Sequence, residues 1–244
     1  MALRDEGAIT RRPPAMTASD SASGPSDPGI RYEPTALNLS EILGRGTNVL
    51  HRPRPVAPPW ISELRAEVAG LSTFETKVRF ESPSATHARR LVEPLPATSA
   101  RDALEADVAG LLGAYGALVR GRRLQAALML TDRVTCPKFH ADHVGLRLLC
   151  AYVGPGTEWV PEAHVDRTHL CCADHGPEEA NRLIVPDPAR IVRARTFDVL
   201  VLKGDAFPGN AGRGAVHRTP PDAAAGGKRL VLKIDDIAAM AGGG

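Results

Sequence analysis

Short apolar runs dominate the second half of the chain, whereas apolar residues at helical spacing dominate the first half. The runs are LQAALMLTD (124–132), VGLRLLCAYV (144–153), FDVLVLKG (197–204), GAVHRT (214–219) and RLVLKID (229–235). Each is strand-length, rich in Leu and Val, and bounded by Gly/Pro-rich turns, so each is predicted as a β-strand. No long helical period lies between them, which argues against βαβ units. Upstream, Trp60, Ile61, Leu64, Val68 and Leu71 recur every three or four residues and predict a helix over 58–71, opened by proline. A second helix is predicted over 100–120. There Leu104, Val108, Leu111, Leu112, Tyr115, Leu118 and Val119 form one stripe, Ser99 with Asp102 resembles a capping box, and Gly121 closes the end. A short helix or turn is expected near residues 39–43. Helices first and strands after predict a mainly β (α+β) sandwich or barrel with helices packed outside.

The organisation follows from where these patterns start and stop. Residues 1–29 contain PPAMTASDSASGPSDPG and few large apolar groups, so they are predicted to be a disordered tail. Residues 30–123 are the expected helical region and 124–240 the expected β core, with 30–240 forming one structural domain. A 43% hydrophobic composition with only 4% aromatics implies a core built from Leu, Val and Ala. The formal net charge of +2 includes no basic stripe interleaved with aromatics, so no nucleic-acid groove is expected. RGRR at 120–123 is read as a helix C-terminus, where cations complement the dipole. No run approaches the roughly 18 apolar residues of a membrane span, and no apolar segment follows Arg11 and Arg12 as a signal peptide requires. Four cysteines, two of them adjacent, make a poor disulfide framework, so a cytoplasmic location is expected.

One stretch stands apart: CPKFHADHVGLRLLCAYVGPGTEW, residues 136–159. In extended backbone, residues i and i+2 face the same way, so His140 and Asp142 point together and His143 points opposite. Imidazole and carboxylate at the mouth of an apolar strand cost free energy unless a partner satisfies them. A metal ion is such a partner. His217, on a short strand bracketed by glycines and prolines, is the best third ligand. Two histidines and one carboxylate form the facial triad of non-haem Fe(II) oxygenases. Arg229 opens the next strand and suits an anionic carboxylate held by its planar fork.

This ordered set of His140, Asp142, His217 and Arg229 resembles the Fe(II)/2-oxoglutarate-dependent dioxygenases. The resemblance implies a double-stranded β-helix (jelly roll) with N-terminal helices packed on one sheet. It implies Fe(II) on His140, Asp142 and His217, with Arg229 pairing the distal carboxylate of 2-oxoglutarate. A small-molecule or protein substrate would then be hydroxylated. Arg147, Tyr152, Thr157 and Asn210 are candidate pocket-lining residues, with a buried acidic pair as the other reading of Arg147 and a turn role as the other reading of Asn210. More narrowly, CPKFHADHVGLRLLCAYVGPGTEWVP and PGNAGRGAVHRTPP are similar to the bacterial DUF1826 family, over roughly residues 35–237. That family's association with zinc-homeostasis gene neighbourhoods implies the alternative, a non-catalytic metal-binding protein with zinc as its metal. A cupin-like enzyme ranks below both, because the usual HxH and trailing Glu are absent.

A second cluster, HVDRTHLCCADH, places His164, His169, Cys171, Cys172 and His175 within residues 164–175 and is a candidate second metal site. Its spacing matches no zinc finger, and a loop of solvated histidines is the alternative. Cys136 and Cys150 are expected as core thiols. Gly209, Gly212 and Gly214 are expected in turns.

Overall fold

The computed structural model describes residues 37–54, 57–171 and 175–237. The expected disordered tail lies outside them. In chain order the elements are β1 (Val49–Arg52), α1 (Trp60–Ala69), β2 (Phe74–Phe80), α2 (Ala85–Val92), α3 (Ser99–Leu118), β3 (Leu124–Thr131), β4 (Leu146–Val153), β5 (Glu158–Trp159), α4 (Pro177–Ile184), β6 (Val192–Arg193), β7 (Val199–Lys203), β8 (His217–Arg218) and β9 (Arg229–Asp236). A short 3₁₀ turn over Ser40–Leu43 precedes β1, where a short helix or turn was expected. Among the described residues no helix is long and apolar enough to cross a membrane.

The strands form two sheets, a large one in the order β1-β7-β4-β9-β3-β2 and a small one in the order β6-β5-β8. His140 adds an isolated antiparallel bridge to His217 at the free side of β8. From β3 onward the chain alternates between the sheets: β3, the His140 segment, β4, β5 and β6, β7, β8, β9. This alternation, antiparallel throughout, is the jelly roll. The fold is mainly β.

Helices cover the outer face of the large sheet. Leu104, Val108, Leu111, Leu112 and Tyr115 of α3 are buried in one cluster with Leu128, Leu148, Cys150, Tyr152, Leu230, Leu232 and Ile234 of the sheet. Full burial of such a side chain stabilises by roughly 1.5–3 kcal/mol, so this stripe is what fixes α3 to the sheet. The Tyr115 hydroxyl donates to the carbonyl of Leu146 at 2.7 Å and sets the helix's height along β4. The N-cap lies one residue earlier than Ser99: the Thr98 side chain accepts from the Arg101 N–H at 3.2 Å.

The stretch read as helical, 30–123, also supplies β1 and β2, which extend the large sheet at its two edges. Alternation in FETKVRF was visible in the sequence, but β1 is only four residues long and its pairing with β7 is set by distant chain. β5, β6 and α4 were also unpredicted. Two-residue strands carry no periodicity to detect.

Candidate metal centre

The inner face of the large sheet, opposite the small one, bears the chemistry. Strand alternation divides β9 into Leu230, Leu232 and Ile234 under the helices and Arg229, Val231, Lys233 and Asp235 facing inward. Ladder pairing sets Arg147 opposite Asp235 and Leu149 opposite Lys233.

His140 and His217 are locked together by two reciprocal backbone hydrogen bonds of 3.0 Å. Residues directly opposed in an antiparallel pair present their side chains to the same face. The two imidazoles therefore lie side by side, with ring centroids 4.5 Å apart. Asp142 brings its Oδ1 to 3.6 Å from His140 Nε2 and its Oδ2 to 3.1 Å from His217 Nε2. One ligand atom from each of the three residues lies within 4.8 Å of the others.

The tautomers are set by the backbone. His140 Nδ1 lies 2.9 Å from the carbonyl of Lys138, and His217 Nδ1 lies 3.0 Å from that of Ala215. A carbonyl only accepts, so each Nδ1 carries the hydrogen and each Nε2 presents a lone pair. With a metal bound, two nitrogen lone pairs and a carboxylate converge on one point; without it, the Arg147 guanidinium beside Oδ2 and protonation of His140 offset the carboxylate charge. Asp142 Oδ2 is buried and has no well-directed hydrogen bond of its own. This donor set fits a divalent transition metal, with the neutral imidazoles and hard carboxylate suited to Fe(II) or Zn(II). Burial by itself would raise the Asp142 carboxyl. The two imidazoles and Arg147 outweigh it and hold the group far below the usual carboxylate range. Burial likewise lowers His140, but its contact with Asp142 wins and the imidazole is raised above its ordinary 6.5.

Surrounding residues fix Asp142 in place. Its backbone carbonyl accepts from the Asp205 N–H at 2.8 Å. Gly204 permits this approach, because a Cβ there would stand 2.2 Å from the Val144 carbonyl oxygen and 2.7 Å from that of Asp142. Arg147 forks onto Asp235 through Nε at 2.6 Å and Nη2 at 3.0 Å, and its Nη1 contacts Asp142 Oδ2. The sequence left Arg147 between a buried pair and a pocket residue; it is both, since it also lines the cavity.

Arg229 is 3% exposed. Its Nε donates to the Pro155 carbonyl at 2.9 Å and its Nη2 to Thr157 Oγ1 at 3.3 Å. A bulge in the β4–β9 ladder near Ala151 and Val153 leads into Gly154, whose positive φ of 79° lets the turn lie against the Arg229 stem. Among the described residues no carboxylate pairs with this guanidinium. Burial pushes it down to about 10, which leaves it cationic at neutral pH. A cavity of about 90 Å³ joins Arg229 and Thr157 to His140, His217, Val231 and Lys233.

Other candidates lie away from the three donors. Tyr152 faces the helices rather than the cavity, packed 6.1 Å from the Trp60 ring and donating to Asp107 Oδ2 at 2.6 Å. The cavity-side positions of β4 are Arg147 and Leu149, whereas Tyr152 lies at the bulge with the cluster under the helices. Asn210 holds its own turn, donating from Nδ2 to the Gly204 carbonyl at 3.0 Å, and does not line the cavity. Gly209 and Gly212 have positive φ as expected, whereas Gly214 does not. Cys136 is exposed and borders the cavity instead of lying in the core, while burial pushes the Cys150 thiol up to about 12. His143 is exposed.

The second cluster does not assemble among the described residues. His169 faces Asp166 at 3.7 Å, His175 faces Glu179 at 3.2 Å, His164 stands on a separate short turn, and Cys171 is exposed. Cys172 lies outside the described residues. His140, Asp142 and His217 are the one metal-capable group among those described. Sequence reasoning missed Asp235, Gly204 and Lys233. The alternation of RLVLKID carried the signal for Asp235 and Lys233, whereas that for Gly204 exists only in three dimensions.

A family model described as "Protein of unknown function (DUF1826)" matches residues 34–235. No curated protein matches the chain. Solved structures with a similar course include a dioxygenase for auxin oxidation from rice, at 15% identity over 78% of this chain and 73% of that one, with a TM-score of 0.41. HygX from Streptomyces hygroscopicus, solved with iron bound, is 13% identical over 77% and 81% of the two chains, with a TM-score of 0.38. The non-heme alpha-ketoglutarate-dependent carbocyclase SnoK is 11% identical over 85% and 86%, with a TM-score of 0.37.

Proposed function

The chain belongs to the DUF1826 family, and we propose that it is a metal-dependent oxygenase of the Fe(II)/2-oxoglutarate kind, hydroxylating a substrate admitted beside His140 and His217. One observation carries this reading. His140 and His217 of the three-donor group line the same small cavity as a buried guanidinium that has no acidic partner among the described residues. A metal-storage or metal-transfer site needs the three ligands but gives no reason to bury an uncompensated cation next to them, which is costly.

Each residue has a distinct task in this reading. His140, Asp142 and His217 hold the metal from one side and leave the cavity side open. The Lys138 and Ala215 carbonyls keep both Nε2 atoms deprotonated and aimed at it. Arg229, steadied by Pro155 and Thr157, receives the distal carboxylate of 2-oxoglutarate. Val231 and Leu149 keep the floor apolar and limit access of water. When bound, Fe(II) chelated by 2-oxoglutarate supplies the activation of dioxygen that hydroxylation requires.

The test is an anaerobic titration of metal-free protein with Fe(II) and then 2-oxoglutarate, following the visible charge-transfer band of a chelated keto acid. The native protein is expected to develop the band. Arg229→Ala should need about 10- to 100-fold more 2-oxoglutarate, the worth of a charge-assisted hydrogen-bonded pair. His217→Ala should lose Fe(II) binding. Unchanged Fe(II) affinity in His217→Ala would refute the site. Absence of a band with zinc held tightly would replace this reading by the non-catalytic zinc-binding one.

A further inference from the structure

Besides Arg229 and the carboxylate-paired Arg147 and Arg218, the cavity is lined by Lys233, a cation that neither the metal ligands nor the co-substrate site proposed above uses. Lys233 shares the inward face of β9 with Arg229 and Val231, and four residues of strand separate the Cα atoms of Arg229 and Lys233 by about 13 Å. Its ladder neighbours are Ala127 on β3 and Leu149 on β4, so its flanks are apolar. The nearest carboxylate is Asp235 at 4.0 Å, and both oxygens of that group are already engaged by the Arg147 fork. Glu75 at the cavity rim is occupied by Lys77 at 2.8 Å. The Lys233 ammonium therefore reaches the cavity with its charge largely uncompensated.

A second depression shares Arg147 with this cavity and is lined by Arg79, Arg123 and Asp235, the last already engaged by the Arg147 fork. Arg79 is tied to the neutral side chain of Gln125 at 2.9 Å and retains its charge.

Resting on the oxygenase reading above, we propose that the molecule hydroxylated here carries an anionic group, a carboxylate or a phosphate, and that Lys233 anchors it. Arg229 holds the co-substrate's carboxylate at one end of the floor and Lys233 holds the substrate's anion at the other. The metal site lies along the same cavity. Arg79 and Arg123 raise the local concentration of anions at the mouth.

The experiment uses two-dimensional amide NMR of the full chain at low ionic strength, with sodium acetate and inorganic phosphate as separate probes. Saturable shifts are expected at Ala127, Leu149, Val231 and Lys233, and the stronger of the two anions names the group. Lys233→Met should raise the dissociation constant for that anion at least tenfold. Lys233→Arg should restore it, and Arg229→Met should leave the shifts at Ala127 and Leu149 in place. An unchanged dissociation constant in Lys233→Met, or shifts confined to Thr157 and Arg229, would overturn the proposal. These shifts do not require iron or 2-oxoglutarate. A protein that forms the keto-acid band but shows no Lys233-dependent shifts retains the oxygenase reading and loses the anion subsite; one that shows the shifts without the band does the reverse.

Discussion

Replacing Arg147 by methionine isolates the energetic logic of the site. Arg147 and Asp235 have side chains only 13% and 5% exposed, joined by two hydrogen bonds of 2.6 and 3.0 Å. A surface pair of this kind is worth at most about 1 kcal/mol, but removing one member of a buried pair leaves a desolvated charge and costs about 3–5 kcal/mol. Lys233 at 4.0 Å is too far to replace the fork. Arg147→Met is therefore expected to lose about 3–5 kcal/mol of unfolding free energy, or roughly 2 M in the urea midpoint at a typical slope for small proteins. The double variant Arg147→Met/Asp235→Leu removes both charges and should recover at least half of that loss, because apolar replacement of a whole buried pair is often neutral or favourable. Asp142 keeps its two imidazole neighbours in either variant. The assay is urea unfolding by far-UV circular dichroism in the presence of a chelator. A single-variant loss below about 1 kcal/mol, or a double variant no more stable than the single, would refute the description of Arg147–Asp235 as a buried pair.

Two further outcomes are expected. Gly204→Ala forces a methyl group into the Val144 and Asp142 carbonyls; it should cost about 1–3 kcal/mol and weaken Zn(II) or Fe(II) binding at least tenfold by equilibrium dialysis, whereas Gly113→Ala, with open space around its Cβ, should leave metal affinity unchanged. The pH dependence has a definite sign: the raised His140 stabilises the metal-free fold fully below the ordinary 6.5 and loses that contribution as pH rises through its folded value. Asp142, depressed in the fold, contributes constantly above its ordinary 3.8 and loses its share only in stronger acid. Melting of metal-free protein should thus shift downward as pH rises above the ordinary 6.5 of His140, while Zn(II) reverses the trend because protons compete with the metal for imidazole. A melting temperature that rises over this window without metal would contradict the His140–Asp142 contact.

The legible parts of the sequence were those whose signal is local. The α3 stripe from Leu104 to Tyr115 repeats at helical spacing within a 20-residue helix, long enough that only a helix can bury it. The major strands carried enough Leu and Val to be found individually. His140, Asp142, His217 and Arg229 stood out because each sits at the edge of an apolar strand, where an uncompensated polar group is expensive. Tyr152 misled because its aromatic hydroxyl suits a pocket, and only the face of β4 it occupies excludes it. The histidines and cysteines of 164–175 misled because proximity along the chain is not convergence in space. Cys136, expected as a core thiol, lies exposed at the cavity edge because the segment carrying it pairs through its backbone with Thr219.

By itself the sequence determined which elements form and which residue types are available for chemistry, because hydrophobic period and strand alternation act over a few residues. The tertiary structure alone decided which of those residues meet. The bridge between His140 and His217 joins positions 77 apart in the chain. Arg147 reaches Asp235 across a ladder that no local pattern specifies, and Gly204 matters only because another loop's carbonyls press against it. Register does this work: shifting a strand by one residue would send Arg229 and Lys233 under the helices and Leu230 and Leu232 into the cavity. That register is fixed by the burial of the outer face against α3, so the same apolar packing that stabilises the fold also aims the site.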